Sequence, residues 1–146
     1  MVQSTTAEHA ERLSQRRARV WPFLAVIYLG QQYSYFSANG GAAVDQVRVG
    51  AWAVMSTALL VALVTGGGWL RSREVRALLN DETSRAHRSD ALGWGFVVAM
   101  ATGIVLYCIG GATVTEREAI HLIVSLGIAT ALVRFGLLER RAMRGE

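Results

Sequence analysis

Few side chains in the apolar parts of this sequence carry groups that bind protons, metals or hydrogen-bond partners. The clearest are the run QQYSY at residues 31–35 and a histidine near the start of the last apolar run. Amide, hydroxyl and imidazole groups among apolar residues line a polar path or join helices by hydrogen bonds. Because such groups are expensive inside a membrane, they are candidate functional residues. We select four intramembrane polar residues: Gln31, Gln32, Tyr35 and His121.

The remaining ionisable residues do not match a known metal or catalytic pattern. Glu82 and His87 are five residues apart and Asp90 follows three later, so they do not share one helical face as metal ligands would. Intramembrane haem normally takes two axial ligands. His9 and His87 lie in polar segments, so His121 is the one histidine within an apolar run. A haem could then bind only if two copies of the chain shared it through His121. No Ser-His-Asp, paired-carboxylate or H-E-x-x-H arrangement occurs. We predict no enzymatic activity, no metal and no cofactor.

The composition favours a membrane as the surrounding solvent. The chain has 146 residues, of which 52% are hydrophobic, and a mean hydropathy of +0.30, more than a soluble core of this size usually hides. All 15 basic residues are arginine, and their balance against 11 acidic residues gives a net charge of +4. The arginines cluster at the ends of apolar runs, which indicates membrane orientation rather than nucleic-acid binding. The single Cys108 excludes an intramolecular disulfide and is expected to be buried.

Four apolar runs predict the elements that position these residues. Membrane-spanning helices are expected at about 20–38, 49–70, 91–111 and 118–138. The polar parts are an arm at 1–19, outer loops at 39–48 and 112–117, a joint at 71–90 and a basic tail at 139–146. The predicted fold is an all-α, integral membrane four-helix bundle built from two hairpins. A signal peptide is the alternative for the first span, because its apolar part is short and follows basic residues.

The arginines also predict the orientation of the bundle. The arm holds four, the joint five and the last part of the chain, from Arg134 onward, four, whereas each outer loop holds one. Short cytoplasmic segments carry the excess of positive charge, so both termini and the joint are expected in the cytoplasm. The tryptophans agree with this orientation. Trp21, Trp69 and Trp94 lie at predicted inner boundaries of the spans, and Trp52 lies at an outer boundary.

Small residues repeat at four-residue spacing on the second and third spans. The set on the second span is Ala58, Ala62 and Gly66, and the set on the third is Ala91, Gly95, Ala99 and Gly103. Such stripes let two helices approach closely in a membrane. Glycine costs about 1 kcal/mol relative to alanine inside a helix, which favours close packing as its purpose. We predict that the second and third spans pack through these stripes.

The joint contains charged candidates and a family resemblance. Its selected residues are Asp81, Glu82, Arg85 and Arg88, which form either a self-neutralising hairpin or a docking surface. The run LNDETSRAHRSDALGWGF at 79–96 resembles small inner-membrane proteins of alphaproteobacterial type that carry D-E-x-x-R before a transmembrane helix. That resemblance implies a multi-pass protein of the bacterial inner membrane, in a group without an assigned activity.

Two functions fit these observations. The first is an accessory or assembly subunit of a bacterial inner-membrane complex, which packs against other subunits or copies of itself within the lipid bilayer. The alternative is a small facilitative transporter or channel with a polar path through Gln31 to Tyr35 and His121. The size resembles that of small multidrug exporters, but the first span contains no Asp or Glu to couple protons to a cation.

Overall fold

The computed structural model describes residues 20–33, 36, 42–66, 82–109 and 114–144, and these residues form four helices without a strand. Helix α1 covers residues 20–33, with residue 36 also helical. The others are α2 (Ala42–Thr65), α3 (Glu82–Ile109) and α4 (Glu116–Arg144). Helices α2, α3 and α4 are each long and apolar enough to cross a membrane. The all-α prediction is therefore confirmed for this part of the chain.

Local sequence signals set two helix ends. Gly66 follows the last residue of α2 with a φ of 72°, and its amide donates to the carbonyl of Leu63 at 3.4 Å. Glycine adopts this left-handed conformation without the strain of a Cβ, so Gly66 ends the helix. At the start of α4, the amide of Thr115 donates to Glu118 Oε2 at 2.9 Å, and the amide of Glu118 donates to Thr115 Oγ1 at 3.3 Å. This reciprocal capping box explains where α4 begins.

Helix α4 is the central element of the bundle. In the most apolar stretch of 18 residues of each helix, half of the residues are buried in α4, compared with 11% in α2 and 6% in α3. Helix α1 runs antiparallel to α4, because Trp21 packs edge-on against Phe135 with ring centroids 5.3 Å apart while Gln32 contacts His121. The other three helices thus share α4 as their common contact.

The remaining helices alternate in direction. Helix α3 begins beside the last turns of α4, where His87 Nδ1 lies 3.5 Å from Glu139 Oε1. Helix α2 begins at the opposite end, where Trp52 stacks on His121. The described helices therefore run up, down, up and down, as expected for two hairpins.

The small-residue stripe of α3 lies against α4. A Cβ added at Gly95 would sit 2.7 Å from the carbonyl oxygen of Gly127 and 2.9 Å from Ala131 Cβ, so the two backbones approach closely there. Ala91 is fully buried, and a Cβ at Gly103 would contact the side chain of Ile123 at 3.5 Å. The prediction that this stripe packs against the second span was therefore wrong, because the stripe packs against α4.

The three residues of the stripe predicted on α2 have different surroundings, and Ala62 packs against the buried core. Ala58 is exposed, Ala62 is half-buried, and Gly66 ends the helix. The buried positions of α2 are instead Ser56 and Leu63. Ser56 Oγ lies 2.8 Å from Tyr28 Oη, and Leu63 belongs to the apolar core of the bundle.

Several helix boundaries differ from the sequence prediction. Helix α2 begins at Ala42, so most of the predicted outer loop is helical, and α4 continues to Arg144 through most of the predicted tail. The last nine residues of the predicted joint belong to α3, which begins at Glu82.

Two further predictions concern single features of the chain. Cys108, which was expected to be buried, is exposed at the surface of the isolated chain. The polar arm at 1–19 lies outside the described residues.

Candidate functional site

Side chains from α1, α2 and α4 form a buried polar cluster at the end of the bundle where α4 begins. Five members are buried and Trp52 is half-buried. The members of this buried polar cluster are Tyr28, Gln32, Trp52, Ser56, His121 and Ser125. Each helix contributes two of them at a spacing of four residues, which places both on one face of their helix.

Hydroxyl groups join the three helices at the inner side of the cluster. Tyr28 Oη lies 2.8 Å from Ser56 Oγ and donates to Ser125 Oγ at 3.4 Å. The indole Nε1 of Trp52 also donates to Ser125 Oγ, at 3.2 Å. Since a phenol has one proton, Ser56 donates to Tyr28 when Tyr28 donates to Ser125. The cluster is thus a continuous hydrogen-bond chain from α2 through α1 to α4.

The imidazole of His121 is held on several sides. Its Nε2 is hydrogen-bonded to Gln32 Oε1, and the amide nitrogen of Gln32 donates to the carbonyl of Tyr28 at 3.1 Å. Because the amide nitrogen faces that carbonyl, Oε1 must be the acceptor and His121 Nε2 the donor. Trp52 stacks on the imidazole with centroids 4.4 Å apart, and Phe36 meets it edge-on at 5.5 Å. The ring orientation is therefore determined by tertiary contacts.

A cavity of about 280 Å³ adjoins the cluster on the side where α4 begins. Its lining includes Trp52 and His121 from the cluster and Glu116 and Arg117 from the first turn of α4. No group of three or more His, Cys, Asp or Glu side chains within the described residues is arranged to hold a metal. The side chains that line the cavity offer hydrogen bonds, aromatic rings and the opposite charges of Glu116 and Arg117.

An apolar layer separates the buried polar cluster from the other end of the bundle. Leu63, Leu132 and Phe135 are each 0% exposed, and Ala25 and Ile128 complete the layer. From Ser125 to Arg134, the axial rise is about 14 Å at 1.5 Å per residue. The described polar side chains therefore do not form a continuous path along the bundle.

A second group of polar residues, at the end where α4 finishes, forms what we term the charged end. It consists of His87, Arg88, Asp90, Arg134 and Glu139. Arg134 Nε donates to Asp90 Oδ2 at 2.8 Å, and the same guanidinium lies 5.7 Å from the ring centre of Trp94. These contacts join α3 to α4.

Arg88 joins α3 to the end of α2. Its Nη1 donates to the carbonyl of Val64 at 3.1 Å, and its Nε donates to the carbonyl of Ser84 at 3.2 Å. The last carbonyls of a helix have no partner within it and carry partial negative charge, so a guanidinium stabilises them. Arg88 is only 7% exposed, which makes this contact a buried part of the fold.

The sequence-selected residues divide into three groups. Gln32 and His121 meet in the buried polar cluster, whereas Gln31 is exposed. In the joint, Arg88 is buried, but Glu82 and Arg85 are exposed, and the predicted docking surface remains a prediction. Two selected residues, Tyr35 and Asp81, lie outside the described residues.

The sequence analysis missed the hydroxyl half of the cluster. Tyr28 precedes Gln32 by four residues, and Ser125 follows His121 by four, so each extends a polar face that the sequence already contained. The four-residue spacing was the signal that could have identified them.

A comparison of the chain with protein-family models, curated proteins and solved structures finds no match.

Proposed function

We propose that this chain is a multi-pass protein of the bacterial inner membrane that acts as an accessory or assembly subunit. The apolar exterior of its long helices supports insertion in a bilayer. In α3, for example, Phe96, Ile104 and Tyr107 are 64%, 65% and 90% exposed, more apolar surface than a soluble monomer leaves in water. Lipid tails or other transmembrane helices are the surroundings that suit such a surface.

The distribution of arginine supports cytoplasmic termini. Among the described residues, Arg48 and Arg117 lie at the end with the buried polar cluster. All the others lie at or beyond the charged end: Arg85, Arg88, Arg134, Arg140, Arg141 and Arg144. Under the positive-inside rule, the charged end faces the cytoplasm.

The distance between the two polar ends suits a membrane. Glu118 and Arg134 are separated along α4 by about 24 Å at 1.5 Å per residue, against a hydrocarbon thickness of about 30 Å. Snorkelling of long side chains and slight thinning of the bilayer accommodate a difference of this size. With the charged end in the cytoplasm, the buried polar cluster would lie in the outer half of the bilayer.

One observation carries the choice of an accessory role over transport. The apolar layer of Leu63, Leu132 and Phe135 lies directly beneath the cluster, so its hydrogen bonds end inside the bundle. Interhelical hydrogen bonds of this kind stabilise membrane helices by roughly 0.6 to 2 kcal/mol each. The cluster therefore acts as internal bonding for a rigid bundle whose outer surface is available to partners.

A facilitative transporter or channel is the second candidate. The cavity of about 280 Å³ beside His121 favours it, because it brings an aromatic and polar surface to the outer end. Transport would require the apolar layer to open. Alternatively, copies of the chain would have to line a path between them.

Purification of the tagged full chain from bacterial membranes in mild detergent tests these candidates. Co-migrating chains are identified by mass spectrometry, and the assembly mass is measured by light scattering. A stoichiometric partner subunit, or a defined oligomer that is silent in liposome flux assays, supports the accessory role. A pure oligomer that conducts ions or solutes supports the second candidate, and a monomer without partner or flux contradicts both.

A further inference from the structure

A groove runs along α4 between α1 and α3. Its volume is about 410 Å³, and its lining includes Leu29 from α1 and Trp94 from α3. Leu126, Val133 and Leu137 form its floor and are 38%, 38% and 44% exposed. These three share one face of α4, because residues seven and eleven positions apart return to nearly the same angle on a helix. The floor is therefore a mainly apolar strip along the helix axis, and Thr130 also belongs to the lining.

The groove leads into a basic strip. Arg134 belongs to its lining, close to the indole of Trp94. Arg141 and Arg144 are four and seven residues beyond Leu137, which continues the same face of α4, and both are exposed. One helical face thus changes from apolar to cationic within two turns, at the charged end of the bundle.

We infer that this groove binds one acyl chain of an anionic phospholipid of the cytoplasmic leaflet, with its phosphate held by Arg134 and Arg141. The inference rests on the membrane orientation proposed above. Guanidinium groups bind phosphate through paired, charge-assisted hydrogen bonds, and tryptophan is enriched at the level of lipid headgroups. Basic clusters at the cytoplasmic ends of transmembrane helices attract anionic lipids.

The salt bridge of Arg134 is compatible with this role. Asp90 accepts from Nε, one of the five N–H donors of the guanidinium. Asp90 neutralises one charge, but three arginines lie along this end of the groove, so the net charge stays positive. That excess distinguishes an anionic lipid from a zwitterionic one. Asp90 also orients the guanidinium over Trp94, beside the apolar strip.

A second copy of the chain fits the groove less well. Two copies in one membrane share an orientation, so a two-fold axis between them runs along the membrane normal. A symmetric contact through this groove would bring Arg141 and Arg144 of one copy against the same arginines of the other. Like charges repel, whereas an anionic headgroup between the arginines is attracted. Charge complementarity therefore favours the lipid.

Lipid titration of the delipidated full chain in detergent, read by native mass spectrometry, tests the inference. Phosphatidylglycerol and phosphatidylcholine with identical acyl chains are compared. We expect phosphatidylglycerol to bind at a concentration lower by roughly tenfold or more, since each arginine near a headgroup contributes to binding. The double variant Arg134→Gln with Arg141→Gln should lose the preference. Arg117→Gln, which removes a charge at the opposite end, should keep it.

The apolar strip is tested separately by filling it. Val133→Trp should weaken the binding of both lipids, whereas Val105→Trp, at an exposed position of α3, should not. Circular dichroism of each variant establishes that it is folded, and the arginine variants decide the question if Val133→Trp does not fold. Equal binding of the two lipids by the parent chain overturns the inference. So does a dimer that Val133→Trp dissociates while phosphatidylglycerol binding is unchanged.

The failure of this inference is distinguishable from failure of the proposed function. A chain that inserts in membranes but does not distinguish the two lipids contradicts only the lipid site. A chain recovered in the soluble fraction without detergent contradicts the membrane proposal itself.

Discussion

The imidazole of His121 stacks on the indole of Trp52 with ring centroids 4.4 Å apart and planes inclined by 24°. The same imidazole donates to the side chain of Gln32, so one residue of α4 connects α2 with α1. These two contacts use different atoms of the ring, the π face and Nε2. Substitutions at position 121 can therefore separate the contribution of stacking from that of hydrogen bonding.

His121→Ala should destabilise the bundle by about 2 to 4 kcal/mol, because it removes the stacking and leaves a buried amide oxygen of Gln32 without a donor. His121→Phe should cost less, since it keeps an aromatic ring against Trp52. Reversible unfolding in mixed micelles measures both. His87→Ala is the comparison: it removes one part-buried contact with Glu139 and no aromatic stacking, so the expected loss is smaller, about 0.5 to 1.5 kcal/mol. Equal losses at the two histidines would refute the structural role of His121.

Gly95→Ala should destabilise the contact between α3 and α4 by about 1 to 3 kcal/mol, because the new methyl group would overlap the backbone oxygen of Gly127. Gly103→Ala is the matched variant on the same stripe. Its Cβ would meet only side-chain atoms of Ile123, the nearest at 3.5 Å, which is an ordinary contact. The higher helix propensity of alanine should therefore leave stability equal or greater. Thermal unfolding in detergent compares the two. A Gly95→Ala protein as stable as Gly103→Ala would show that the helices do not approach closely at Gly95.

Arg88→Ala should destabilise the chain by about 2 kcal/mol, because two backbone carbonyls, one of them at the end of α2, lose a charged donor. Arg85→Ala removes the same charge from an exposed position one turn earlier and should change stability by less than about 0.5 kcal/mol. Hydrogen exchange at the last turn of α2 gives a second readout. Faster exchange there is expected in Arg88→Ala only, and identical exchange in both variants would contradict the capping role.

The single cysteine permits a direct test of orientation. Cys108 is exposed one residue before the end of α3, at the end of the bundle with the buried polar cluster. Under the proposed topology, a membrane-impermeant maleimide should label Cys108 from outside intact spheroplasts. A cysteine introduced by Arg144→Cys in a Cys108→Ser background should react only after lysis. The reverse pattern would invert the proposed orientation.

The helical class was predictable from the sequence because it depends on local properties. The runs at 49–70, 91–111 and 118–138 are apolar over the length of a membrane span, and each coincides with most of a helix in the structure. Boundaries were less predictable. Residues 42–48 were predicted to belong to a loop, yet they are helical. Within that helix, Asp45 Oδ1 lies 3.7 Å from Nη1 of Arg48, one turn later.

Only the tertiary structure decided which faces meet. Residues 28, 56 and 125 are far apart in the chain, and the periodicity within each helix does not indicate which neighbour its polar face contacts. The small-residue stripe of α3 was evident from spacing, but its partner was not, because any helix with a complementary surface satisfies the same pattern. Hydropathy is a property of each segment alone, whereas the choice of partner depends on how four segments pack simultaneously around α4.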